Sequence, residues 1–152
     1  MTSSDHYDHA QRTSAFSVSL GLSSGAVFAA AVSLGLSAGA VFAAFVVGAV
    51  LLLAAQMMRE LRVSLGAAGI HVGFALFGLP SRTLAWTEVA SATKVRNSWQ
   101  TSWGMHSVRR GWLWNIAGPD AVELELRTGR VFRIGTDDAD GLLAACKKHL
   151  PR

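Results

Sequence analysis

Few side chains in this 152-residue sequence are spaced to do chemistry. Gly21-Leu-Ser-Ser-Gly25 and Gly35-Leu-Ser-Ala-Gly39 each set a serine, Ser23 or Ser37, between two glycines. That is the spacing of a hydrolase nucleophile elbow, which needs a strand before the serine, a helix after it, and Asp and His partners. Both serines sit instead inside an apolar run. His6 and His9 have the spacing of a metal-binding pair, but on a polar tail with no third ligand held in place. A solvated tail is the expectation there. Cys146 is the one cysteine, so no internal disulfide can form, which fits a reducing compartment. It falls on an apolar helical stripe and reads as core. His71, His106 and His149 are scattered. The pattern predicts no catalytic residue, no metal and no cofactor.

Binding character concentrates in one stretch, Asn97 to Arg110. Lys94, Arg96, Arg109 and Arg110 flank Trp99 and Trp103. Tryptophan suits a membrane–water interface, and each nearby Lys or Arg adds about 1 kcal/mol against anionic lipid. These six residues are candidate contacts with lipid headgroups or with a protein partner. Trp112 and Trp114 lie in a strand and are read as interior filling. The same filling role stands as an equal alternative for Trp99 and Trp103.

The elements that must carry these residues divide sharply by charge. The chain is 51% hydrophobic and 16% charged, against about 25% charged in an average globular chain. The deficit is local, because no Lys, Arg, Asp or Glu lies between Arg12 and Arg59. Phe16 to Gln56 is an uncharged run of 41 residues. As helix it measures roughly 60 Å, twice the hydrocarbon thickness of about 30 Å. The length predicts a transmembrane segment over 15–57, as two helices (about 15–33 and 37–57) with a turn near Val32 to Ala38. One long tilted helix is the alternative. Asp5 and Asp8 outweigh Arg12 ahead of the run, which argues against a cleaved signal peptide.

Ser19–Ala30 returns as Ser33–Ala44 with a period of 14. Within each copy the glycines, Gly21 with Gly25 and Gly35 with Gly39, have the spacing of a close-packing face between membrane helices. Such faces predict contact within the helix pair or a homo-oligomer. For the second copy a small-residue turn is an equal reading. Arg59 and Arg62 flank the exit of the run, and the positive-inside rule then puts the C-terminal two thirds of the chain in the cytoplasm. Residues 1–14 are expected to be a disordered tail, on the same side if the run crosses twice.

From Leu61 the pattern becomes short β-like runs separated by turn signals: Leu61–Leu65, Ile70–Leu79, Thr83–Trp86, Ala90–Arg96, Gly111–Ile116, Ala121–Leu126 and Arg130–Gly135. In the last two, a three-residue loop Arg127-Thr-Gly129 pairs Leu124 with Phe132 and Val122 with Ile134, with Gly129 at the position that wants a left-handed residue. A helix follows. Asp137 is the expected cap, and Ala139, Leu142, Leu143, Cys146 and Leu150 form its apolar stripe.

Several motifs from Leu61 to Leu150 resemble the bacterial pleckstrin-homology-like domains that follow a membrane hairpin. They are Gly69-Ile-His-Val-Gly73, Leu84-Ala-Trp-Thr-Glu-Val89, Ser102-Trp-Gly-Met105, Arg110-Gly-Trp-Leu-Trp-Asn115, Ala121-Val-Glu-Leu-Glu-Leu126 with Gly129-Arg130, and Phe132-Arg-Ile-Gly-Thr-Asp-Asp138. The resemblance implies an α+β membrane protein, with a transmembrane helical hairpin and, over 58–150, a seven-stranded antiparallel barrel closed by one helix. It implies no catalytic residues. The first loop of that domain, Gly66-Ala-Ala-Gly69, carries none of the cations that phosphoinositide-binding members place there.

The function expected from sequence is therefore a non-enzymatic, membrane-anchored scaffold facing the cytoplasm. Its expected partners are the bilayer, anionic lipid headgroups or a protein, and not nucleic acid, for which no motif is present. A small membrane enzyme or transporter accessory subunit using Ser23 or Ser37 is the alternative.

Overall fold

The computed structural model of the protein describes residues 7–12, 15–74, 79–101, 104–116 and 118–150. The uncharged run forms two helices, α1 (Ala15–Ser33) and α2 (Ala38–Met57). They pack antiparallel: Ser24 lies against Gly48, and the rings of Phe28 and Phe45 meet edge to face at 6.2 Å. The chain reverses over Leu34–Ser37, where Gly35 has a φ of 62°. A left-handed residue just past a helix end lets its carbonyls be capped, and Leu36 N–H donates to Ala31 O at 3.3 Å. The two copies of the repeat thus differ in structure. The first lies within α1; the second straddles the turn and opens α2. Their difference is positional, since the second sits at the middle of the run, where the two helices turn back on each other.

Among the described residues, nine strands run in the order β1 (Tyr7–Arg12), β2 (Glu60–Gly66), β3 (Gly69–Phe74), β4 (Ser81–Ala85), β5 (Val89–Arg96), β6 (Gly104–Val108), β7 (Gly111–Asn115), β8 (Asp120–Leu126) and β9 (Val131–Gly135). They make a four-stranded sheet in the order β1-β2-β3-β4 and a five-stranded sheet in the order β5-β8-β9-β7-β6. In β2, Leu61, Val63 and Leu65 are buried while Arg62 is exposed, the alternation of a strand with one buried face. Their partners Phe74, Val72 and Ile70 in β3 are buried with them. From the second sheet, Trp114, Val122, Leu124, Phe132 and Ile134 meet this layer. Each such aliphatic or aromatic side chain contributes about 1.5–3 kcal/mol by burial. Helix α3 (Ala139–His149) packs on β5 and β8, sending Ala139, Leu142 and Cys146 into the same core.

The seven-stranded antiparallel barrel expected from sequence is corrected by this architecture. The described residues form two sheets and no closed barrel, and β7 runs parallel to β9. Two strands are hidden in the sequence. β6 lies in a stretch whose Ser, Trp and Arg content reads as loop. β1 lies in the polar tail, and its pattern acquires meaning only against β2, far away in the chain. The expected transmembrane hairpin is corrected as well. Among the described residues only α2 is long and apolar enough to cross a membrane.

The β8–β9 register agrees with the sequence: Leu124 faces Phe132, Val122 faces Ile134, and Gly129 has a φ of 78°. The cap of α3 is one residue later than expected. Asp138, not Asp137, accepts from Gly141 N–H at 3.0 Å.

Candidate functional site

The base of the helix pair is built from two strands. β1 enters α1 and β2 leaves α2, and the two strands pair antiparallel from Tyr7↔Leu65 to Arg12↔Glu60. Side chains reinforce the register. Arg62 donates to Asp8 through Nε at 2.9 Å and through the terminal nitrogen at 2.6 Å. That fork holds the Arg62 guanidinium above its ordinary pKa, through the hydrogen bond first and the charge of Asp8 second. Arg12 Nε donates to Glu60 at 2.9 Å. These pairs are exposed, and such pairs add more to register than to stability.

The far end of β1 is fastened to α3. Tyr7 donates its hydroxyl to Asp138 Oδ2 at 3.1 Å, and His9 Nε2 meets Asp137 Oδ1. Burial, then the neighbouring Asp138, pushes the Tyr7 phenol above its usual range. Burial alone pushes the Cys146 thiol up to about 12, so it stays protonated and unreactive at neutral pH. Sequence reasoning misses both aspartates as partners of the tail. The only signals for them are the acids at the start of α3 and a Tyr-x-His alternation in the tail. His6 lies outside the described residues.

The serines of the helix pair act within it. Ser24 is buried and donates to Gly48 O at 2.8 Å; Ser23 donates back to Ser19 O at 2.9 Å. The glycine at the helix contact is Gly48, where a Cβ would lie 3.1 Å from Ser24 Oγ. Of the four predicted packing glycines, Gly21 comes nearest the partner helix, with Leu52 3.9 Å from where its Cβ would be. Gly25 and Gly39 have open space, and Gly35 serves the turn. Gly48 lies outside the repeat, so the repeat draws attention away from it.

The four cations among the six predicted contact residues are not one patch. Lys94 is engaged by Asp140 of α3, at 2.8 and 2.9 Å, which raises its pKa through that hydrogen bond. Arg96 ends β5 opposite Asp120, whereas Arg109 and Arg110 form the turn into β7, beside Val131. The β8–β9 register places Asp120 and Val131 at opposite ends of the second sheet. Arg96 is therefore separated from Arg109 and Arg110 by the strand length, about 17–20 Å. Trp99 opens a short 3-10 turn, Trp99–Thr101; its side chain and Trp103 lie outside the described residues. Trp114 is interior, ringed by Phe74 at 5.5 Å and Phe132 at 5.3 Å, while Trp112 is 44% exposed.

No protein-family model matches this chain, and no curated protein matches it. Among the described residues no group of three His, Cys, Asp or Glu is placed to hold a metal ion.

Proposed function

We propose that this protein is a membrane-anchored, non-enzymatic interaction module. In this reading α2 anchors the chain in the bilayer with α1 packed back along it, and the sheets stand on the cytoplasmic side. The observation that carries it is the pairing of β1 with β2 at the two feet of the helices. If α2 crosses, the partner strand of β2 must still lie on the same side, so α1 must return. At 20 residues, α2 spans about 30 Å, matching the hydrocarbon core. Its outward side chains also suit lipid, with Phe42 68% and Val50 60% exposed. A water-soluble chain rarely displays so continuous an apolar surface. Arg12, Arg59 and Arg62 gather at the feet, which favours the cytoplasmic side by the positive-inside rule.

The scaffold assignment is supported by how the reactive side chains are occupied. Cys146 is core, His9 and His71 hold Asp137 and Thr83, His149 stacks on Trp86, and Ser24 binds a helix carbonyl. The test is fractionation followed by topology. The intact chain is expected to stay in the pellet through alkaline carbonate and to be released by detergent. Tags at Met1 and Arg152 are expected to be digested together, only in inside-out vesicles. Release by carbonate, or tags on opposite faces, overturns the reading.

A further inference from the structure

Among the described residues, strand β5 pairs on one side only, with β8, and so ends the second sheet. Beside its first residues lies a groove of about 540 Å³, with α3 as the other wall. Three alanines, Ala90, Ala92 and Ala144, keep its walls low, and Lys147 and Lys148 stand along its helical side. Among the described residues no carboxylate lines it. Asp140 is held by Lys94, and Glu125 accepts from the lining Ser91 at 3.3 Å, which leaves Lys147 and Lys148 as the charges on the groove wall itself. A strand edge next to small side chains and two cations has the makings of a seat for an extended anionic chain. Backbone groups supply pairing along such an edge, and side chains supply selection.

The groove also faces away from the helix feet. His149, which comes after the two lysines, stacks on Trp86 at 4.7 Å, and Trp86 donates to Gly66 O at 2.8 Å. Gly66 closes β2 at the end opposite Glu60, about 20 Å along the strand. Lys147 and Lys148, just before His149, thus belong to the end of α3 that lies about a strand's length from the helix feet, which favours a protein segment over the headgroups of the same membrane.

We propose that the groove between β5 and α3 binds an extended acidic segment of a partner protein. This deepens the anchored-module reading and rests on it for the side to which the groove opens. The test uses the full chain in neutral phosphatidylcholine nanodiscs, panned against a displayed library of random peptides. The recovered peptides are expected to be enriched in Asp and Glu. Their binding is expected to fall by about tenfold or more in Lys147→Glu with Lys148→Glu, and likewise in Ala144→Trp. Ala144 is exposed, so the latter fills the groove without entering the core. Retained circular dichroism shows that both variants fold, and Lys147→Gln with Lys148→Gln gives an intermediate loss. Recovery of no peptide, peptides without acidic enrichment, or unchanged binding in the variants overturns the proposal. So does lysine-dependent capture of phosphatidylglycerol vesicles that acidic peptides do not compete away, which would make the groove a lipid site. Loss of the anchored reading is scored separately, by carbonate release of the untreated chain.

Discussion

At the scale of single residues, a buried thiol and a half-buried phenol bear on how the fold responds to alkali. The Cys146 thiol ionises near 9 in an unfolded chain and is pushed up to about 12 by burial. A raised folded value means that its contribution is complete below the unfolded pKa and is lost as pH rises from there through the folded one. The Tyr7 phenol is displaced in the same direction, first by burial and then by Asp138. The urea midpoint is therefore expected to fall as pH rises from about 9 toward about 12, and to fall less in Cys146→Ala. Native Cys146 should also resist maleimide until the chain is unfolded. Tyr7→Phe, which removes the bond to Asp138, is expected to cost about 1 kcal/mol in the same denaturation. Of these roles, the core position of Cys146 is legible from its place on an apolar helical stripe. The Tyr7–Asp138 contact is not, because it joins positions with no local relation in the chain.

At the scale of elements, close backbone approach decides which glycines matter. In Gly111 a Cβ would fall 1.7 Å from Val131 O, where β7 meets β9 in parallel. Gly111→Ala is expected to destabilise by about 1–3 kcal/mol, whereas Gly66→Ala, into open space, should stay within about 0.5 kcal/mol. Thermal unfolding of the two variants separates them. In the helix pair, Phe28→Cys with Phe45→Cys reports packing as an oxidative crosslink. That crosslink is expected to be lost in Gly48→Leu and kept in Gly25→Leu with Gly39→Leu. Ser24→Ala should weaken the pair by only about 0.6 kcal/mol. The turn between the helices can be read from length alone, since Gly35 is near the middle of the uncharged run. Strand alternation and the Gly129 turn likewise carry β8 and β9. Gly48 is beyond sequence reasoning, because its importance comes from Ser24 on another helix.

At the scale of the whole molecule, the sequence locates the two helices of the uncharged run and most strands but not their assembly. Seven runs of alternating residues do not specify which edges meet. The insertion of β7 between β9 and β6, and the addition of β1 beside β2, are decided by contacts distant in the chain. The same separation disperses the basic residues that look like one cluster in the sequence, since β5 and β7 present Arg96 and Arg110 at opposite ends. Removing residues 1–12 is expected to leave the chain in the membrane pellet while lowering the unfolding temperature of the sheets. The comparison of intact and shortened chains in detergent checks both parts.

The antiparallel register of β1 on β2 has a consequence for biosynthesis. The amino-terminal strand leaves the ribosome 47 residues before its sheet partner begins. At about 5–20 residues per second, it waits for seconds while the greasy insert between them emerges. Strand and partner can then meet only after that insert has doubled back, so a strand made early is placed late. Correct looping of the helix pair thereby becomes a precondition for finishing the sheet.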